Sequence, residues 1–174
     1  MNKVTVIASL VILAAVAACG ASKKKDNTAL STNPSENSSN ADSLTKFQWN
    51  DFSTGYALAK NTGKLLLVDV YTDWCGWCKV MDKKTYTDPA VISTLASQYI
   101  CVKLNPEQSV TYTMEGETLT ALDVKNFLSD NRQDGYPTTY FMKPSTGAKV
   151  IAVVGYQEAS AFHSILSKTI PSKF

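Results

Sequence analysis

Leu65-Leu66-Leu67-Val68-Asp69-Val70-Tyr71 is a continuous apolar run interrupted by a single acid. A half-solvated strand would alternate apolar and polar residues, so a run this uniform predicts a strand buried on both faces. Tyr99 to Leu104 reads as a second buried strand. Phe47, Trp49 and Phe52 suggest a short strand leading into a helix over residues 52–60, and Asn61-Thr62-Gly63-Lys64 is a turn. Trp74-Cys75-Gly76-Trp77-Cys78 opens a helix running through Tyr86. Asp88 can cap a further helix whose first turn suits Pro89, with Val91, Ile92, Leu95 and Ala96 on one face. Residues 105–118 are polar and loop-like. Leu119, Leu122, Phe127 and Leu128 have helical spacing. Thr138–Met142 and Lys149–Val154 read as a hairpin around Pro144-Ser145-Thr146-Gly147, and residues 159–169 as a final helix. The order βα-βα-βα-ββα predicts an α/β or α+β sandwich, one central sheet covered by helices.

The 174 residues suffice for one ordinary domain plus additional sequence. The formal net charge of +2 does not point to nucleic acid or an acidic polymer as a partner. From Lys46 onward there are 13 Lys/Arg against 12 Asp/Glu, so the folded part is nearly neutral. The four cysteines, Cys19, Cys75, Cys78 and Cys101, are too few and too irregular for a secreted disulfide framework.

Residues 1–18 read as a signal peptide. Lys3 supplies the positive start, and Val4 to Ala18 is apolar but shorter than the roughly 20 residues of a membrane span. Val16-Ala17-Ala18-Cys19-Gly20 resembles the lipobox of bacterial lipoproteins. That resemblance implies lipidation of Cys19, through a thioether, as the first residue of the mature chain. Gly20 after it, rather than Asp, favours the periplasmic face of the outer membrane. Residues 19–44 then form a lipidated, flexible tether: Lys23-Lys24-Lys25 followed by Ser, Thr and Asn, without apolar periodicity. The lysines could meet anionic lipid or simply be solvated. The folded domain is expected over residues 45–174.

Cys75-Gly76-Trp77-Cys78 follows a buried strand and begins a helix. The attacking species in disulfide chemistry is a thiolate. A helix N-terminus offers free N–H groups and a positive dipole end to that anion. Two intervening residues let the second sulfur reach the first within one turn, so one cysteine can attack a partner disulfide and the other resolve the mixed disulfide. Half a zinc site looks the same, but only Cys101 and His163 remain as further Cys or His ligands and neither has ligand spacing; no metal and no cofactor are expected. A purely structural disulfide is disfavoured because so short a loop restrains the unfolded chain little.

The stretch from Leu67 through Cys78 to Lys79 resembles the active-site strand and helix of the thioredoxin superfamily. Val102-Lys103-Leu104-Asn105, Tyr136-Pro137-Thr138 and Val154-Gly155 match the next central strand, the cis-proline loop and the terminal glycine of that family, in order. Met81 to Val91 is similar to the branch that includes the C-terminal domain of the bacterial electron-transfer protein DsbD. The resemblance implies a thioredoxin-like fold, a central mixed β-sheet flanked by helices. It implies Cys75 as exposed nucleophile and Cys78 as buried resolving thiol. Asp69 would take the proton from Cys78, its pKa raised by burial. Lys103 either approaches that acid or is a solvated strand-end lysine. A cis Pro137 would hold Tyr136 against the disulfide and offer backbone groups to an extended partner. Trp74, Gly76, Trp77, Tyr136, Pro137 and Gly155 would form the substrate-binding surface, although Trp74 could equally be packing. Cys101 reads as an inert core thiol in preference to a third redox group, His163 as a surface or packing residue, and Tyr136, Tyr140 and Phe141 mostly as core.

These features point to a monomeric thiol–disulfide exchanger of the cell envelope with protein thiols and disulfides as partners, acting as a reductant. No basic residue separates the cysteines to depress Cys75 strongly. The envelope is oxidising, so a reductant needs a membrane electron donor. A disulfide oxidase or isomerase and a non-catalytic client-binding module are the alternatives. Gly76-Trp77 departs from the Gly-Pro of thioredoxin and leaves the direction of electron flow open.

Overall fold

The computed structural model describes residues 46–174. The predicted signal peptide, Cys19 and the tether lie outside the described residues. In chain order the elements are β1 (Trp49–Asn50), α1 (Phe52–Thr62), β2 (Leu65–Val70), α2 (Gly76–Lys84), α3 (Pro89–Gln98), β3 (Tyr99–Leu104), β4 (Thr111–Met114), β5 (Glu117–Thr120), α4 (Ala121–Ser129), β6 (Thr138–Lys143), β7 (Gly147–Val154) and α5 (Ala159–Ser164), followed by a π-helical stretch (Ile165–Thr169) and a 3₁₀ turn (Pro171–Lys173).

The apolar run is the centre of the molecule. β2 pairs in parallel with β3 on one side and antiparallel with β6 on the other, in a mixed sheet of order β1-β3-β2-β6-β7. Strand alternation then splits the core in two. Leu66, Val68, Val70, Val102, Leu104, Tyr140 and Met142 face α1 and α4, meeting Phe52, Tyr56, Ala59, Val124 and Leu128. Leu67, Tyr99, Cys101 and Phe141 face the other layer, meeting Met81, Val91, Leu95, Phe162 and Leu166. Both faces of β2 are covered, as its composition requires, and the sheet is flanked by helices as expected.

Local chemistry sets the helix ends. Asp51 caps α1 by accepting from the Thr54 N–H, and Gly63 ends it in the left-handed region at φ 69°. Asp88 accepts from the Ala90 and Val91 N–H groups at the start of α3, with Pro89 in its first turn. Thr120 and Asp123 form a reciprocal capping box on α4. Gly55 lets α1 approach the sheet closely: a Cβ there would lie 2.2 Å from Val102 Cγ2.

Several expectations are corrected. The segment predicted as a loop contains the hairpin β4–β5. Tyr112, Met114 and Leu119 turn one side of it toward the α1/α4 core, and Glu115 and Gly116 make its turn with φ 52° and 86°. Leu119 therefore belongs to β5, and α4 begins at Ala121. Leu122 and Phe127 are exposed, while Lys125 and Ser129 are buried, with the Lys125 ammonium donating to the Arg132 carbonyl at 3.0 Å. The helix after Cys75 ends at Lys84, before Tyr86, and β7 starts at Gly147. The last helix is α-helical only to Ser164. Buried Tyr99 donates its hydroxyl to the Leu166 carbonyl at 2.6 Å, and the Ile170 N–H bonds Ile165 instead, widening the ladder to π spacing.

Candidate active site

β2 ends at Val70, and a short loop carries the chain to α2. Thr72 closes that loop by accepting the Cys75 N–H at 3.1 Å. Cys75 is the N-cap of α2 and is joined to Cys78 by a disulfide, with Cα atoms 5.4 Å apart. The Cys75 sulfur accepts the Cys78 N–H at 3.1 Å. It therefore occupies the place where a capping oxygen normally satisfies a free helix N–H, the position most favourable to an anion. The expectation of an exposed Cys75 is corrected: in the disulfide form Cys75 is 4% exposed and Cys78 2%. What stands in solvent is their surroundings, Trp74 at 67% and Trp77 at 61%, together with Gly76.

Asp69 lies in register with Lys103 on β3 and Thr139 on β6. It shares strand parity with Leu67, so its carboxyl points to the α2/α3/α5 side of the sheet. It is fully buried. Its Oδ2 accepts from Lys103 Nζ at 2.6 Å, and its Oδ1 has no hydrogen-bond partner among the described residues. Burial raises its pKa, and the nearby ammonium only partly opposes this. Of the two readings of Lys103, contact with the acid is what the fold produces. Its ammonium also bonds Asp82 on α2, and it sits 4.9 Å from the Trp49 ring, 5.0 Å from Tyr71 and 5.3 Å from Tyr86. Burial pulls its pKa down, but the two carboxylates outweigh that and hold it raised and charged.

Asp82 was missed by sequence reasoning. Its signal is its spacing: four residues after Cys78, one helical turn along the same face. Glu107 was missed as well; it accepts the Trp74 indole N–H.

The Tyr136–Pro137 peptide is cis. Pro137 is buried, and its carbonyl accepts the Gly155 N–H at 2.8 Å, which ties the loop to the end of β7. Gly155 has φ 85° and open space where a Cβ would be, so what favours glycine here is the backbone angle. Tyr136 is partly buried and meets Trp74 edge-to-face at 5.7 Å, while Tyr140 and Phe141 are core. Cys101 is buried beside Leu67 and Trp49, its thiol pushed well up by burial. His163 is half-buried on α5. Among the described residues no three His, Cys, Asp or Glu side chains are grouped to hold a metal.

Residues 36–168 match the Thioredox_DsbH family model, described as a protein of unknown function, DUF255. The chain belongs to the Thioredox_DsbH family. Among curated relatives of this Thioredox_DsbH chain, the thiol:disulfide interchange protein DsbD of Tatumella citrea is 34% identical over 113 residues, covering 64% of the chain and 17% of the relative. The chain thus spans about a sixth of that relative's length. A solved structure titled DsbH Oxidoreductase is similar with a TM-score of 0.57 at 14% identity, covering 81% of this chain and 94% of that one. A putative disulphide-isomerase from Bacteroides thetaiotaomicron gives 0.53 at 25% identity, covering 72% and 93%. The thioredoxin-like fold expected from the sequence is the fold of this Thioredox_DsbH chain.

Proposed function

We propose that this chain is a thiol–disulfide oxidoreductase of the cell envelope that exchanges dithiol and disulfide with protein partners through Cys75 and Cys78, in the reducing direction. The observation that carries the reading is the Cys75–Cys78 pair at the N-terminus of α2, with the cis Tyr136–Pro137 loop alongside Trp74. In the reduced form, the Cys75 thiolate attacks a partner disulfide, bonding one partner sulfur and releasing the other as a thiolate. Cys78 gives its proton to Asp69 and attacks the Cys75 sulfur of the mixed disulfide, which frees the second partner sulfur. The partner gains two electrons, the Cys75–Cys78 pair loses two, and the partner thiolates take up protons.

The Lys103 ammonium partly offsets the burial that raises the Asp69 pKa. Trp74, Gly76, Trp77, Tyr136, Pro137 and Gly155 form the docking surface. The envelope assignment is supported by the signal-like residues 1–18 and the lipobox-like Cys19, and by the DsbD name of the relatives. In this reading Cys19 carries a lipid anchor at the periplasmic face of the outer membrane, the protein is a monomer, and a membrane protein returns the pair to the dithiol. No helix of the described residues is long and apolar enough to cross a membrane.

The test is the equilibrium potential of the pair against glutathione. A value near about −270 mV supports a reductant, and one near about −120 mV overturns that direction in favour of an oxidant. Cys75→Ser tests the exchange itself: client capture and phenotype that survive it would make the chain a binding module.

A further inference from the structure

Two exposed tryptophans flank the disulfide, and they are held differently. Trp77 stacks on Tyr156 with centroids 5.2 Å apart, and its indole N–H forms no hydrogen bond among the described residues. Trp74 is tied down. Its indole Nε1–H donates to both carboxylate oxygens of Glu107, at 3.0 and 3.1 Å, and its ring meets Tyr136 edge-to-face with an interplanar angle of 80°. Glu107 is fixed in turn, because its backbone N–H donates to the side-chain oxygen of buried Asn105 at 3.0 Å. A strut therefore runs from Asn105, just past the end of β3, through Glu107 and Trp74 to Tyr136 beside the cis proline. It joins three chain segments that meet next to Cys75.

An indole this exposed, if untethered, would lose rotamer freedom each time a partner packed on it, and binding would weaken accordingly. A hydrogen bond made in advance removes most of that cost. We propose that Glu107 is a positioning residue for partner recognition, holding Trp74 as a pre-ordered wall of the groove against which an extended protein segment docks. The wall serves protein partners specifically, since a small disulfide reaches the Cys75 sulfur without spanning the strut. This inference rests on the thiol-exchange reading above.

The experiment compares two probes: turnover of insulin with dithiothreitol as reductant, and oxidation of the pre-reduced protein by glutathione disulfide. Glu107→Ala is expected to raise KM for insulin about fivefold at unchanged kcat, with the glutathione disulfide rate unaltered. Glu107→Gln keeps an oxygen acceptor for the indole and is expected to retain the wild-type KM. Trp74→Phe, which keeps a ring but has no N–H, should raise KM as Glu107→Ala does, and adding Glu107→Ala to it should raise KM no further. An unchanged KM in Glu107→Ala overturns the proposal. So does a Glu107→Gln variant as impaired as Glu107→Ala, since that would show charge and not the clamp at work, and so does additivity in the double variant. If Glu107→Ala fails to fold, the Gln and Phe variants decide alone: a raised KM in Trp74→Phe with a normal KM in Glu107→Gln supports the clamp, and any other pair of values overturns it. Failure of the wild-type protein to exchange with either probe would instead remove the thiol-exchange reading.

Discussion

Lys103 reaches from β3 to place its ammonium 2.6 Å from the Asp69 carboxylate on the neighbouring strand, and it does so while bonded to a second carboxylate, Asp82. One cation thus serves two acids of very different exposure. Asp69 is sealed in the core, whereas the Asp82 side chain is 43% exposed. This arrangement fixes the sign of several measurable effects.

Asp69 binds its proton more tightly in the folded chain than in the unfolded one, because burial raises its pKa. Stability attributable to it is therefore fully present below the ordinary carboxylate range, declines as the pH rises through the folded value, and is level above that. Asp69→Asn should raise the thermal midpoint by several degrees at pH 7 and leave it nearly unchanged below pH ~4. The same variant should slow insulin reduction by about 100-fold, since no group remains to take the Cys78 proton.

Lys103 and Asp82 act on Asp69 in opposite directions: the ammonium lowers its pKa and the second carboxylate raises it. Lys103→Met should move the acidic limb of the pH–rate profile for exchange to higher pH, and Asp82→Asn should move it to lower pH. Stopped-flow oxidation by glutathione disulfide across pH 5–9 measures both. Parallel shifts would contradict the geometry.

Gly55 has no room for a side chain. A Cβ would lie well inside contact distance of Val102 Cγ2, so either the Val102 side chain or α1 must shift. Gly55→Ala should cost about 1–3 kcal/mol in urea unfolding, and Val102→Ala in the same chain should recover part of that loss.

Cys101 is a core residue with its thiol held protonated by burial. Cys101→Ala should leave a two-electron redox titration and the exchange rates unchanged, at a cost of about 1 kcal/mol for the small cavity. A change in electron stoichiometry would return it to the redox site.

The most legible parts of the sequence were those where composition alone excludes alternatives. Leu65 to Tyr71 has so little polar content that only a doubly covered strand accommodates it, and from that strand follow the sheet, the position of Asp69 and the loop that presents Cys75. Pro137 and Gly155 were found from their resemblance to the thioredoxin family's motifs, met in the same order along the chain. The hairpin β4–β5 was not found, because its alternation of Thr with Tyr, Met and Leu is weak and its turn carries Glu115-Gly116 in place of the Asn-Gly or Asp-Gly that marks a tight hairpin. The inward face of α4 was misplaced because Lys125 goes inside by satisfying its ammonium on a carbonyl, a partner visible only once the chain has folded. Asp82 and Glu107 were missed for the same reason. Each is a surface acid whose role depends on a residue distant in sequence, Lys103 for one and Trp74 for the other.

The exposure of Asp82 has a consequence for traffic through the site. It lies seven residues after Cys75, about 10 Å along the helix from the end that carries the disulfide. A protein seated on Trp74 and Trp77 would cover the end of α2 that carries the disulfide. The chain of contacts from Asp69 through Lys103 to Asp82 meets solvent on the flank instead. A partner covering the two tryptophans would thus leave Asp82, the outer end of that network, open to water.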